Sequence, residues 1–183
     1  MTRISREDWL ETGLAQLGRE GPAGLRISRL CKRAGVTRGS FYHHFADQKV
    51  YSETLLEHWE HSHTLALIDA ADAAGEGALE RRHRLSALTS KLDMRVEAEI
   101  RRWAASDDQA RVVLARVDNR RLDYLAELNR MENGMDTQAA RDLAAIEYAV
   151  FLAYPGLFPK SGEADFRRVG RLLDRLITGL SQP

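Results

Sequence analysis

Apolar residues recur every three or four positions along most of this chain, which is the spacing of amphipathic helices. Near the N-terminus, for example, Trp9, Leu10, Leu14 and Leu17 fall on one helical face. No segment of the sequence shows the sustained alternation of apolar and polar residues that half-buried strands require. The pattern therefore predicts an all-α protein.

Glycine, proline and capping residues divide this pattern into separate helices. The first helix is expected to close at Gly18 and Gly21-Pro22, and a short second helix at Gly35. Asp47 can cap a fourth helix that runs through the sixties. Later breaks are predicted at Gly75–Gly77, Asn133-Gly134 and Pro155-Gly156. The helices group into a small N-terminal headpiece, residues 1–50, and a larger helical body, residues 51–183.

Composition is that of a globular protein, with 44% hydrophobic and 30% charged residues. No apolar run approaches the ~20 residues needed to cross a bilayer, so no membrane partner is expected. The first residues lack the apolar core of an export signal. The single cysteine, Cys31, excludes an internal disulfide, and together these features favour a cytoplasmic protein.

Charge is distributed unevenly although the whole chain is neutral. Residues 1–50 hold nine Lys or Arg against five Asp or Glu, a net of +4, and the remainder has a net of −4. A basic head on an acidic body suits a protein that contacts phosphate at one end. The alternative explanation is that a net charge of +4 over 50 residues is random variation in composition.

Residue sizes between Leu30 and Phe41 fit a helix-turn-helix. Cys31 supplies the small residue that a close helix crossing needs, and Gly35 can adopt a positive φ at the turn. Phe41 offers a large apolar side chain that would lock the second helix of the pair onto the first. The combination at this spacing is far more specific than any single match.

This stretch, Leu25 to Phe45 with the following Asp47 and Lys49, resembles the DNA-binding domain of the TetR (tetracycline repressor) family. The segment 34–45, AGVTRGSFYHHF, carries most of the resemblance, which covers roughly residues 5–55. The segments 99–104 and 117–122 are similar to body segments of family members, less diagnostically. The resemblance implies an all-helical homodimer, most often a repressor released from its double-stranded DNA operator by a small ligand.

The second helix of a helix-turn-helix lies in the major groove, so its first residues, Arg38, Gly39 and Ser40, are the expected base readers. Arg38 suits a bidentate contact with guanine, although a phosphate contact is the alternative. Gly39 would allow close backbone approach or leave room for a thymine methyl. Phosphate contacts are expected from Thr37, Tyr42, His43 and Lys49.

The start of the second helix departs from the family pattern. Family members often have Thr or Ser there, where the hydroxyl caps the helix and can meet a phosphate, whereas this chain has Arg26 with Ser28 two residues later. Either the cap shifts to Ser28, or Arg26 contacts the phosphate directly. Both residues are therefore candidate DNA contacts.

The last two predicted helices carry broad apolar faces that favour a homodimer through a four-helix bundle, with a monomeric core as the alternative. The first of them is rich in small residues and the second supplies bulk. These positions are Ala139, Ala140, Leu143, Ala144, Ile146, Ala149, Val150 and Ala153, followed by Leu172, Leu173, Leu176, Ile177 and Leu180.

Aromatic residues of the body are candidates to line an effector pocket, although each could equally be core. They are Trp59, Trp103, Tyr124, Tyr148, Phe151 and Tyr154. His58, His61 and His63 lack a further ligand at metal-site spacing, so a solvated helix face explains them better. Cys31 fits a structural role better than a redox role.

These features discriminate among three classes of function. No phosphate-binding loop, nucleophile elbow or metalloprotease signature appears in the sequence, so an enzyme is disfavoured and no cofactor is expected. A structural DNA binder of low specificity is disfavoured by the neutral chain and the single compact reading helix. The sequence favours a sequence-specific DNA-binding transcriptional regulator, most often a repressor released by a small-molecule effector.

Overall fold

The computed structural model describes residues 4–158, 160 and 162–179, apart from the side chains of Glu163 and Thr178. Within these residues the chain is helical and contains no strand, so the all-α prediction is confirmed. The α-helices are α1 (Arg6–Glu20), α2 (Ile27–Ala34), α3 (Arg38–His44), α4 (Gln48–Glu60), α5 (Ala66–Asp72), α6 (Ala78–Thr89), α7 (Met94–Ala104), α8 (Asp108–Asn133), α9 (Thr137–Leu157) and α10 (Glu163–Gly179). A 3₁₀ turn spans Pro22–Leu25, and a π-helical turn spans His61–Leu65.

The first of two compact units contains the described residues up to His61 together with Asp93–Arg116. Ser5 and Asp8 form a reciprocal capping box at the start of α1. One face of α1 packs on α2 and α4, and α7 packs along another. The wholly buried side chains of Trp9, Phe41 and Tyr51 form the centre of this unit.

The second unit contains Ser62–Leu92 and the described residues from Val117 onward. In it α5 packs on α6, and α10 packs on both α6 and α9. Ala126, Ala140 and Ala144 allow α8 and α9 to approach closely, with Leu122 and Leu125 packed against them. No helix within the described residues is long and apolar enough to cross a membrane.

The division into units differs from the boundary expected at residue 50. Helix α4 continues to Glu60 without a break, and α7 contacts α1 more than any later helix does, so both join the first unit. That residues 1–50 are the part of the chain that contacts DNA stays a prediction. In the structure these residues pack together with later ones in the first unit.

Two predicted helix ends differ from the structure. Gly18 lies inside α1, which ends at Glu20 with Gly21 as its C-cap at a φ of 64°, so the helix closes at the predicted Gly21-Pro22 and not at Gly18. The fourth helix runs through the sixties as predicted, although a π-helical turn separates α4 from α5. Pro155 lies inside α9, which ends two residues later at Leu157 because a proline near a C-terminus removes only one late hydrogen bond. Leu180 lies outside the described residues.

Candidate nucleic-acid interface and ligand cavity

The turn between α2 and α3 has the predicted helix-turn-helix geometry. Gly35 has φ 68° and ψ 27°, in the left-handed region that favours glycine. Its N–H donates to the Cys31 carbonyl, and so does the N–H of Val36, at 3.1 Å. Two N–H groups thereby share one carbonyl in the last turn of α2, and the chain turns directly into α3.

Buried side chains beneath the turn hold α3 in place. Phe41 is wholly buried, with its ring 5.4 Å from the Trp9 ring and 5.2 Å from the Tyr51 ring. Leu30 and Cys31 are also buried, as their inward positions predicted. Burial raises the pKa of the Cys31 thiol, with Arg38 acting in the opposite direction, so the reactive thiolate is disfavoured.

The outward face of α3 carries the predicted base readers. Arg38 and Gly39 are exposed and Ser40 is half-buried. Thr37 is the N-cap of α3, but its side chain makes no capping hydrogen bond. A Cβ added to Gly39 would meet only the Thr37 hydroxyl oxygen, at an ordinary 3.6 Å. The fold itself therefore does not require glycine at position 39.

Four of the predicted DNA contacts lie around one groove of the first unit. They are Arg26, Ser28, Arg38 and Tyr42. The other walls of the groove include Gln48, Ser52 and Trp103. Gln48 is held there because its amide donates to the Leu25 carbonyl at 2.9 Å. Sequence reasoning missed Gln48 and Ser52, although their spacing of four residues places them on one face of α4.

The start of α2 resolves the question of its cap. Arg26 occupies the N-cap position, and its carbonyl accepts from the N–H groups of Arg29 and Leu30 at 2.8 and 3.1 Å. No side chain caps this end of the helix. Ser28 is exposed at the second helical position, so the cap does not shift to it. Both side chains point to the groove and stay candidate phosphate contacts.

Lys49 and His43 lie at the edge of this surface. The Lys49 side chain is 84% exposed, and its ammonium is 3.9 Å from a Glu53 carboxylate oxygen. Such an exposed pair contributes little to stability. His43 is exposed, whereas the Nε2 of neighbouring His44 is 3.0 Å from the Ile4 carbonyl oxygen. The two adjacent histidines therefore have different surroundings, and only His43 is placed to meet a ligand.

The histidines at the end of α4 are engaged separately. His58 Nε2 is 2.7 Å from Glu11 Oε1, across α1 and α4. His63 Nδ1 is 2.9 Å from the Ser62 hydroxyl oxygen. Within the described part of the chain, no group of three or more His, Cys, Asp or Glu is arranged to hold a metal ion.

A cavity of about 150 Å³ lies within the second unit. Three of the predicted pocket aromatics, Tyr124, Tyr148 and Phe151, line it. Trp59 and Trp103 do not, because both belong to the first unit: Trp59 is wholly buried there, and Trp103 lies on the groove beside α3. Tyr154 does not line it either, but its ring lies 5.7 Å from the ring of Phe166, which does.

Charged side chains that the sequence did not predict also line this cavity. Arg82 is 3% exposed and donates to Glu132 at 2.9 Å, to Glu147 at 2.6 Å and to Asn129 at 2.6 Å. The Asn129 amide donates in turn to Glu147 at 2.8 Å. Asp174 of α10 lines the same space. Arg121 and Arg167 line it as well, so the cavity combines aromatic walls with charged side chains of both signs.

The predicted dimer helices divide into inward and outward faces. Ala140 and Ala144 of α9 are buried against α8, so they belong to the core of the unit. On the opposite side Ile146 is 57% exposed, and Leu176 of α10 is 61% exposed. The outward apolar positions of these two helices are Ala139, Ile146, Ala149, Ala153, Leu157, Leu172 and Leu176. Such a stripe is larger than scattered surface residues explain.

Comparison with known proteins identifies the headpiece and the fold separately. Residues 10–49 match the model of bacterial regulatory proteins, tetR family. A TetR-family transcriptional regulator from Rhodococcus sp. superposes with a TM-score of 0.73 at 20% identity, covering 94% of this chain and 98% of that one.

Two further solved structures share the fold. Reduced NemR from E. coli gives a TM-score of 0.71 at 18% identity, covering 94% of this chain and 96% of that one. A transcriptional regulator from Saccharomonospora viridis in complex with choline gives 0.71 at 19% identity, covering 91% and 93%. At such identities the likeness shows the fold alone. Among curated proteins, none matches the chain.

Proposed function

This chain has the N-terminal domain and the overall fold of the TetR-family transcriptional regulators, and from that premise we propose that it is a sequence-specific repressor released from its operator by a small-molecule effector. The matched proteins are regulators rather than enzymes, as the sequence predicted. A protein that acts on chromosomal DNA in this way works in the cytoplasm.

The observation that carries the DNA-binding proposal is the contrast between the two faces of α3. Its inward residue Phe41 is wholly buried, whereas Arg38, Gly39, Tyr42 and His43 are exposed. Nothing in the packing of the unit calls for these four residue types. They are the types that contact bases and phosphates in the major groove, so DNA recognition explains them.

The outward apolar stripe of α9 and α10 supports a homodimer. One headpiece buries too little surface for tight operator binding, so two must be held about one helical turn, or a multiple of it, apart. Ala149→Glu places a charge at the centre of the stripe, twice per symmetric dimer. We expect this variant to sediment as a monomer and to lose the operator.

Val112→Glu is the matched control for the dimer. Val112 is 60% exposed, but it lies on the part of α8 that belongs to the first unit, whereas the stripe belongs to the second. This variant should sediment like the wild type. A wild-type chain that is monomeric at micromolar concentration with full operator affinity would contradict the dimer.

The cavity in the second unit supports an effector. Its mixture of aromatic and aliphatic walls with polar and charged side chains that can orient a ligand is typical of small-molecule sites. The Saccharomonospora viridis regulator of the same fold is described in complex with choline. We therefore assign effector binding to this cavity.

Selection of duplexes from a random pool, followed by affinity measurements at fixed salt, tests the proposed function. A sequence-specific regulator should prefer the selected duplex over random DNA by about a thousandfold or more. Equal affinity for both would instead indicate a DNA binder without specificity. The salt dependence must be matched, because phosphate contacts dominate both values.

A further inference from the structure

The cavity of the second unit has room for a molecule of about one ring. A void of about 150 Å³ with apolar walls accommodates a molecule such as benzene. In one part of its lining Tyr148 and Phe151 are stacked with their ring centres 6.2 Å apart, and Phe166 lies 6.0 Å from Phe151. Leu85 and Leu173 add aliphatic surface. Walls of this kind favour an apolar ring, because removing its surface from water is the main source of affinity.

The charged side chains along the cavity already interact with other groups of the protein. Among the described residues they are three arginines and two carboxylates, namely Arg82, Arg121, Arg167, Glu147 and Asp174. The three nitrogens of Arg82 donate to Glu132, Glu147 and Asn129, so Glu147 is engaged as well. Arg167 and Asp174 also have interactions within the protein. The lining therefore presents charges of both signs, each with a partner.

Arg121 belongs to a second hydrogen-bonded group on the cavity wall. Its three nitrogens donate to the Thr64 hydroxyl at 3.0 Å, the Tyr148 hydroxyl at 2.9 Å and the His63 carbonyl at 3.2 Å. The Tyr148 hydroxyl donates in turn to Asp118 at 2.7 Å. A charged ligand would have to compete with such bonds or bury its own charge without a partner, and both are costly. An uncharged ligand leaves them all in place.

One hydroxyl group on the α6 side of the cavity is placed to meet a ligand. Thr89 uses its proton within the helix, since its Oγ1 donates to the Leu85 carbonyl at 3.0 Å. Ser86 lies on the same side, opposite Gly170 of α10. A Cβ added to Gly170 would meet only the Ser86 hydroxyl oxygen among the described residues, at 3.6 Å. Glycine at this position therefore leaves room beside the Ser86 hydroxyl for a polar atom of a ligand.

We propose that the effector of this regulator is an uncharged molecule about the size of one substituted ring, with one hydroxyl or carbonyl group. The ring lies against Tyr148, Phe151 and Phe166, and its polar group forms a hydrogen bond with the Ser86 hydroxyl. The bonds of Arg82 and Arg121 hold the walls of the cavity in place and do not pair with the ligand. This inference rests on the proposed function, since it names the ligand class of the effector cavity.

Three nearly isosteric probes separate the ligand classes: benzyl alcohol, benzoate and benzylammonium. Titration calorimetry of the full chain without DNA, at pH 7, should show benzyl alcohol binding at least about tenfold more tightly than either ion, because each ion loses its hydration without gaining an unpaired counter-charge. An ion that binds as tightly as benzyl alcohol would overturn the uncharged class. Absence of binding by all three probes at millimolar concentration would overturn it as well.

The Ser86→Ala variant tests the polar contact. It should weaken the binding of benzyl alcohol about 2-fold to 10-fold, the value of one hydrogen bond, and leave the binding of toluene unchanged. Toluene is the control, because it has the same ring without the hydroxyl group. An equal loss for both probes would indicate a change in the cavity wall instead. That result, or full affinity for benzyl alcohol, would contradict the contact with Ser86.

The Gly170→Val variant tests the location of the ligand. Its added side chain takes up room in the cavity, so the affinities for benzyl alcohol and toluene should both fall about tenfold or more. Gly179→Val, at an exposed position of the same helix outside the cavity lining, should change neither. If circular dichroism shows that Gly170→Val is unfolded, Gly170→Ala replaces it, with a loss of several-fold expected. Undiminished binding by a folded Gly170 variant would overturn the site.

The proposed function fails separately from this inference. Ligand binding is measured without DNA, and operator preference is measured without ligand. Equal binding of an ion, with specific DNA binding intact, contradicts only the ligand class. Tight binding of benzyl alcohol by a chain that has no operator preference, or whose operator complex benzyl alcohol does not weaken, contradicts the proposed repressor instead.

Discussion

Replacing Gly39 with alanine should separate DNA recognition from folding. The added Cβ meets nothing closer than the Thr37 hydroxyl oxygen at 3.6 Å, and Gly39 does not have a positive φ. Alanine is preferred over glycine in helices by up to about 1 kcal/mol, with less effect expected in the first turn. Gly39→Ala should therefore leave the melting temperature unchanged or raise it, by at most ~2–4 °C.

The affinity of Gly39→Ala for the operator should fall, although its melting temperature stays the same or rises. If the α3 backbone approaches a base pair at Gly39, a methyl group there costs about 1–3 kcal/mol, or roughly 5-fold to 150-fold in affinity. Binding to random DNA should change much less, because phosphate contacts dominate it. Fluorescence anisotropy with the selected and the random duplex measures both affinities.

Gly35→Ala is the matched control, four residues away. Here too an added Cβ meets nothing within 4 Å, but the φ of 68° is strained for alanine by about 1–2 kcal/mol. This variant should melt ~2–8 °C lower than the wild type. The reasoning about Gly39 is refuted if Gly39→Ala melts lower as well, or if it binds the selected duplex as tightly as the wild type.

Three further predictions concern single side chains. Arg38→Ala should lose about 1–3 kcal/mol on the selected duplex and much less on random DNA, and an equal loss on both would make Arg38 a phosphate contact. Lys49→Ala should reduce the slope of log affinity against log salt by roughly one unit, whereas Tyr42→Phe should weaken binding with the slope nearly unchanged. Burial raises the pKa of Asp174, so the folded state holds the proton of this carboxyl more tightly than the unfolded chain does. The free energy of unfolding should therefore fall as the pH rises from the ordinary range of a carboxyl pKa through the raised pKa. Asp174→Asn should flatten this dependence and Asp142→Asn, at an exposed position of α9, should not, as urea titrations at several pH values would measure.

The helix-turn-helix could be predicted because its determinants are local. Cys31, Gly35 and Phe41 lie within eleven positions, and each residue type meets a steric requirement of the same tight turn. The Asp47 cap was predictable for the same reason, since its carboxylate accepts from the backbone N–H of Val50, three residues later, at 2.9 Å.

The interruption of the helix after Glu60 could not be predicted in this way. A π-helical turn at His61–Leu65 leaves the apolar spacing close to that of an α-helix, so periodicity continues across it. Its position is fixed by tertiary contacts of the second unit, such as the bonds from Arg121 to Thr64 and to the His63 carbonyl. These bonds join residues that lie 57 and 58 positions apart in the sequence, and no local sequence pattern predicts such a pairing.

The sequence predicted some of the residues that line the cavity and missed others. Tyr124, Tyr148 and Phe151 stood out as large aromatic residues in the body, and they do line it. Its carboxylates did not stand out, because Glu147 and Asp174 in a charged helical sequence are indistinguishable from solvated residues. Their burial depends on how α9 and α10 pack around Arg82 of α6, which the sequence does not state.

The buried charges themselves are better explained by a ligand than by stability. Arg82 joins α6 to α8 and α9 through Glu132, Asn129 and Glu147, yet buried ion pairs of this kind are often no more stabilising than apolar residues of similar volume. A ligand that binds only the folded state adds about 2.7 kcal/mol of stability at a hundredfold excess over its Kd, so an effector that occupies this cavity should raise the melting temperature of the wild type. The rise should be smaller at the same concentration for Asp174→Asn, because Asp174 lines the cavity, and an equal rise would show that the effector binds elsewhere.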